Sequence, residues 1–280
     1  MTEVQRHLRQ SLGPLHPPQV ERQAIKPSIA RHVNIQVSDP LDHEAPAILH
    51  EPRSYNATEA RGAAVVLVSG AGGGVSGPSG IYPSLADKLA LLLSVPCIRL
   101  DYRSPAQTEY CVSDMRASFD YLRDQYTSSR FVVVGWSFGG SPCFTVAATE
   151  PVRVVGVATV ASQTANTDGV RKLSPRPLLL LHGENDRVLA PSCSKALFNS
   201  YGTTGKREMR LFPGDDHGLS RHAPQAERTI FVFVARTLGM EALLDAPVLD
   251  QAGRDLVASR RERVHEMEMG HDLEGGERLF

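Results

Sequence analysis

Net charge and long apolar runs are both scarce in this sequence. A formal net charge of −1 at neutral pH offers no electrostatic footprint for nucleic acid or for an anionic membrane. No apolar stretch is long enough to span a bilayer. The opening residues M-T-E-V-Q-R-H-L-R-Q lack the apolar segment of a secretory signal. The expectation is a cytoplasmic protein, in which the N-A-T sequon at Asn56 carries no glycan. Cysteine is sparse too: Cys97, Cys111, Cys143 and Cys193 show no C-x-x-C spacing, which argues against a zinc site. Cys97 falls in an apolar strand-like run and Cys143 in a helix-like one, so buried free thiols are expected rather than disulfides. No internal repeat is present, and no motif requires a metal or cofactor.

What is present suits one large domain. The chain has 280 residues, 41% of them hydrophobic, enough for a sizeable core. Residues 1–28 are polar and carry Pro14, Pro17, Pro18 and Pro27, and read as a mobile N-terminal arm. Residues 32–38 alternate apolar and polar as an edge strand does, with residues 47–50 as its hairpin partner and a polar loop over 53–62. From residue 63 the pattern becomes strand–helix alternation, which predicts a mostly parallel sheet covered by helices on both faces. Strands are expected at 63–68, 95–100, 131–134, 154–160, 177–181 and 208–212. Helices are expected after Ile81, through Met115, Phe119 and Leu122 (with Asp114, Arg116, Asp120 and Arg123 outward), up to Ala148, over 190–200 and over 223–238. Residues 29–240 thus form the domain, and 241–280 a charged extension, helical or disordered. Only residues 161–176 separate two successive strands, too few for a cap domain.

One stretch carries the chemistry. Residues 130–140 read R-F-V-V-V-G-W-S-F-G-G, a buried strand running into G-x-S-x-G and then a helix. A serine at the apex of so tight a turn needs glycines at 135 and 139, where side chains meet neighbouring backbone. Trp136 reads as a packing residue beneath the turn. Further on, the strand at 177–181 ends in H-G-E-N-D-R-V and the strand at 208–212 in P-G-D-D-H-G. Asp186 and His217 therefore follow Ser137 in the order Ser…Asp…His, each beyond the carboxyl end of its own strand. Glu184 and His222 are the weaker candidates for acid and base, and His182 reads as strand-end packing.

These segments resemble the α/β hydrolases over residues 30–240, and most closely the small, capless dienelactone-hydrolase-like and prolyl-peptidase-like branch. The resemblance implies that Ser137 attacks an acyl carbonyl, that His217 shuttles the proton, and that Asp186 orients His217. It also implies an oxyanion hole made by the backbone N–H groups of Ala71 and Phe138. The family often has His-Gly where this chain has Ser69-Gly70.

The glycine-rich loop at 70–80 has a rival reading. Gly72, Gly74 and Gly77 fit G-x-G-x-x-G after a strand, and Asp101 ends the next strand, the outline of a dinucleotide site. Pro78 and Gly80 count against it by keeping the third glycine out of a helix, and no Walker lysine follows. Without a cap, the pocket is expected to be walled by loops at 70–80, 102–110 and 163–174, with Tyr102 and Tyr110 contributing aromatic surface. The substrate class that follows is a small ester, lactone or thioester, with no nucleic-acid, membrane or cofactor partner. The alternative is a hydrolase-fold receptor or binding protein with little turnover.

Overall fold

The computed structural model describes residues 28–38, 42–52, 54–104 and 106–256. The expected arm at 1–28 and the end of the extension at 257–280 lie outside them, except for Ser28 itself. Eight strands form one sheet in the order β1-β2-β4-β3-β5-β6-β7-β8. The strands β1 (Ser28–Val37) and β2 (His43–Pro52) form an antiparallel hairpin, and β2 pairs antiparallel with β4 (Cys97–Leu100). All other pairings are parallel: β3 (Ala63–Val68), β5 (Arg130–Trp136), β6 (Val154–Val160), β7 (Leu178–Gly183) and β8 (Arg207–Phe212).

The central strands are apolar along their whole length because both sheet faces are covered. In β3, Ala64, Val66 and Val68 join one core cluster, while Ala63, Val65 and Leu67 join the other. The first cluster is closed by α3 (Thr108–Tyr126) and α4 (Gly140–Thr149). The second is closed by α2 (Tyr82–Leu93) and α6 (Ala223–Thr237), whose Ile230, Phe231 and Val234 are fully buried. Helix α5 (Ser192–Ser200) lies between β7 and β8 in the chain. Parallel pairing points the carboxyl ends of these strands to one sheet edge, where loops gather.

Several local expectations are refined. The hairpin strands are longer than the alternating runs, since paired backbone extends past the apolar residues. Within the predicted polar loop, Asn56 accepts a hydrogen bond from Thr58 N and caps a one-turn helix, α1 (Ala57–Ala60). Asp114, expected on the outer face of α3, is fully buried: its carboxylate meets His43 Nε2 at 2.8 Å and accepts from Arg103 N at 2.9 Å. The β1–β2 hairpin folds over that helix face and turns it inward.

Beyond α6, the chain makes a short turn and then α7 (Ala246–Ala252), capped by Asp245. Ala252 and Leu256 are buried. Lys88 Nζ, itself buried, pairs with Glu227 Oε1 at 2.6 Å and donates to Ala252 O at 3.1 Å. Leu256 N donates to Ser84 Oγ. The start of the extension is thus fastened to α2 and α6.

Candidate active site

β5 delivers its chain straight into the turn at Ser137. There the backbone adopts φ +56°, a left-handed conformation that a residue other than glycine holds only where its surroundings impose it. The surroundings here are close-packed backbone. A Cβ on Gly135 would lie 2.4 Å from Gly139 O, and one on Gly139 would lie 2.5 Å from Ser69 O. The two glycines therefore let strand, turn and helix pass one another at van der Waals contact. Ser137 is half-buried, while Trp136 and Phe138 on either side of it are buried.

The loops that follow β7 and β8 bring Asp186 and His217 into contact. His217 Nδ1 lies 2.7 Å from Asp186 Oδ2, and both residues are more than nine-tenths buried. The other carboxylate oxygen, Oδ1, accepts from Val188 N at 2.8 Å and Leu189 N at 2.9 Å. Burial alone would raise the Asp186 pKa. Hydrogen bonds from His182, His217 and Leu189 outweigh it and hold the carboxyl well below the usual carboxylate range. Asp186 is thus favoured as the carboxylate, placed to fix the His217 tautomer and to stabilise an imidazolium. Glu184 is exposed and contributes its backbone N–H to Phe212 O. His222 pairs instead with Asp215, Nδ1 to Oδ2 at 2.8 Å.

Among the described residues no hydrogen bond joins the Ser137 hydroxyl to His217. Nucleophile–base contacts commonly tighten only when substrate is bound. What brings the two loops together is Trp136. Its ring lies 5.7 Å from that of His217, and its Nε1 donates to His217 O at 3.1 Å. Trp136 does pack beneath the turn, and it also tethers the histidine loop to β5.

The glycine-rich loop is fastened on three sides. Asp101 Oδ1 accepts from Gly74 N at 2.8 Å, and Arg99 Nη1 donates to Val75 O at 3.1 Å. Ser79, at φ +49°, donates through Oγ to Gly218 O at 2.8 Å, beside His217. Asp101 is thus engaged in holding the loop, which disfavours the dinucleotide reading. Gly77 also lies outside any helix: α2 begins only at Tyr82, and a Cβ on Gly77 would sit 2.3 Å from the Tyr82 ring. At the start of the loop a turn closes from Gly73 N to Gly70 O at 3.2 Å, with Ala71 exposed at its corner. Phe138 opens the segment leading into α4, where N–H groups have no acceptor within the helix. Tyr102 is buried edge-on against Phe138, ring centroids 6.1 Å apart, and Tyr110 lies under the Arg103 guanidinium at 4.1 Å.

Sequence reasoning had no means of finding Ser79, Asp215 or the contacts of His182. Asp215 is buried and accepts from Asp216 N, Arg221 N and His222 N, which ties the His217 loop into a fixed shape. The only local signal for it is the acidic pair in P-G-D-D-H-G, which does not say which carboxylate turns inward.

The fold of this chain matches known proteins. A family model described as "alpha/beta hydrolase fold" matches residues 63–192. The chain has the α/β-hydrolase fold. Similar solved structures include Est1E from Butyrivibrio proteoclasticus, 15% identical with a TM-score of 0.62, covering 74% of this chain and 99% of its own. Dienelactone hydrolase from Anabaena variabilis is 16% identical with a TM-score of 0.59, over 74% of this chain and 98% of its own. A Xanthomonas campestris α/β serine hydrolase described as without lid is 15% identical with a TM-score of 0.54, over 74% and 94%. No curated protein sequence gives a significant match. In this α/β-hydrolase fold, residues 161–177 connect β6 to β7 directly and hold only a short 3₁₀ turn, Asp168–Lys172. No helix among the described residues is long and apolar enough to cross a membrane.

Proposed function

We propose that the protein is a serine hydrolase that cleaves a small carboxylic ester, lactone or thioester through an acyl-enzyme intermediate. The observation that carries this reading is the Asp186–His217 hydrogen bond of 2.7 Å at the sheet edge where Ser137 sits at φ +56°. His217, oriented through Nδ1, takes the Ser137 proton at Nε2 as Oγ attacks the acyl carbonyl. Asp186 stabilises the imidazolium that forms. His217 then returns the proton to the leaving alcohol or thiol, and water repeats the sequence to release the acid.

The tetrahedral oxyanion is stabilised by the backbone N–H groups of Ala71 and Phe138, a contribution of about 3 kcal/mol per donor in such sites. A backbone donor is indifferent to the Ser69 side chain that replaces the family's histidine. The short β6–β7 connection supports a small, open acyl pocket. Among similar folds, Est1E has been solved with ferulic acid bound, and another is the esterase domain of a Rhodothermus marinus protein; both favour an acyl substrate.

The test is labelling by a fluorophosphonate probe of wild type and Ser137→Ala, followed by a panel of p-nitrophenyl esters and acyl thioesters. Stoichiometric labelling of wild type at Ser137 and loss of labelling in the variant are expected. Intact protein that stays unlabelled refutes the serine mechanism.

A further inference from the structure

β7 reads L-L-L-L-H-G, and its histidine is an anomaly in chemical terms. A fifth apolar residue would satisfy the strand, whereas a fully buried imidazole is desolvated at a cost unless every polar atom is engaged. In His182 every one is. Nδ1 lies 2.8 Å from Ser194 Oγ on α5, and Nε2 lies 2.9 Å from Leu189 O and 3.1 Å from Asp186 Oδ2. Nε2 faces two acceptors, so it carries the proton. Nδ1 faces a hydroxyl that can donate, so the ring is satisfied as the neutral tautomer.

We propose that His182 is a positioning residue for Asp186, sharing Oδ2 with His217 and fixing the carboxylate in the orientation that general-base catalysis requires. This inference rests on the serine-hydrolase reading above. With His182 in place, Oδ1 accepts from Val188 N and Leu189 N, and Oδ2 lies 2.7 Å from His217 Nδ1 and 3.1 Å from His182 Nε2, whose one proton it shares with Leu189 O. Negative charge is thereby spread, and Asp186 does not take the proton that His217 must hold and return. Ser194 sets the tautomer, since its hydroxyl donates to Nδ1 and leaves the ring proton on Nε2. Without His182, Oδ2 answers to His217 alone. The carboxylate then attracts the imidazolium more strongly, so His217 keeps its proton to higher pH and works as a base only above it.

The other titratable groups near the pair sit on two loops. Asp215, its partner His222, and Asp216 lie on the loop that carries His217, and exposed Glu184 and Arg187 lie on that of Asp186. None of these supplies a donor that replaces Nε2.

The experiment uses the full chain with a p-nitrophenyl ester, after counting competent sites by fluorophosphonate titration. In His182→Leu, titratable Ser137 sites are expected to persist. The kcat per site falls about ten- to a hundredfold, KM changes little, and the acidic limb of the kcat/KM profile moves to higher pH. His182→Gln, whose amide nitrogen reaches the place of Nε2, restores most of the loss. A purely structural histidine predicts fewer titratable sites with normal kcat per site and an unmoved limb, and that result overturns the proposal. So does a glutamine variant as impaired as the leucine one. Should His182→Leu fail to fold, Ser194→Ala decides: a smaller shift of the limb in the same direction supports the proposal, and an unchanged profile refutes it. Wild type that does not label at Ser137 instead refutes the serine reading itself, before any variant is compared.

Discussion

Replacing Gly139 by alanine adds one methyl group at a contact with no room for it. The new Cβ would lie 2.5 Å from Ser69 O and 3.0 Å from Val68 O. Ordinary contact distances require a separation roughly 1 Å larger. Both obstacles are backbone carbonyls at the end of β3, so no side chain can rotate aside. Either the turn at Ser137 moves away from β3, or the end of β3 moves and takes Gly70 and Ala71 with it. Each choice misplaces Ser137, the proposed nucleophile, relative to the proposed oxyanion donors. Overpacking of this kind costs about 1–3 kcal/mol of stability. Losing the alignment of one oxyanion donor costs about 3 kcal/mol in the transition state, or ~100-fold and more in kcat. The expected result is therefore a folded protein, about 2 kcal/mol less stable in urea denaturation, whose kcat per titrated site on a p-nitrophenyl ester falls at least ~100-fold with KM nearly unchanged. A variant with wild-type kcat and stability refutes the reasoning, because it means that the backbone crossing of β3 and the serine turn is not what sets the site.

Asp186→Asn should keep the fold but reduce kcat by about four orders of magnitude, since the amide cannot hold His217 in the same tautomer; full activity in that variant would return attention to Glu184. Lys88→Met leaves Glu227 buried without its partner and should cost about 3–5 kcal/mol in denaturant titrations. Burial, opposed by Lys88, already raises the Glu227 pKa above its unfolded value, so stability from this group is present at low pH and lost as pH rises through the folded pKa. The Lys88→Met deficit should therefore shrink as the pH is lowered toward the carboxylate range; a deficit that grows instead contradicts the assignment. Asp101→Ala removes the acceptor of Gly74 N, and should lower kcat about tenfold while shifting the thermal midpoint by only a few degrees. A nicotinamide titration of wild type should show no binding at the glycine loop; tight binding that Asp101→Ala abolishes would restore the dinucleotide reading.

The order Ser137, Asp186, His217 was legible from the sequence because in a parallel sheet each strand end projects to the same edge. Strand recognition and chain order were then enough to send all three to one sheet edge, where Asp186 and His217 meet. The glycines at 135 and 139 were legible for the same reason, since a serine at a strand-to-helix turn forces backbone into contact. The sheet's layered core was legible too, because strands buried on both faces are written as unbroken apolar runs. What remained hidden depends on which side chains meet across elements far apart in the chain. Asp114 faces inward because the leading hairpin, paired to β4, folds over α3. Asp101 is committed to Gly74, and Ser79 to Gly218, through loops whose course no periodicity encodes. His182 gave the same letters whether it merely filled a strand end or held a carboxylate. Only the approach of Asp186 and of Ser194 on α5 shows that both of its nitrogens are engaged. Local pattern determined where the candidate reactive groups lie along the chain, because backbone geometry repeats. Tertiary packing decided which groups hold them in place, because that depends on contacts between segments whose relative positions no short-range pattern specifies.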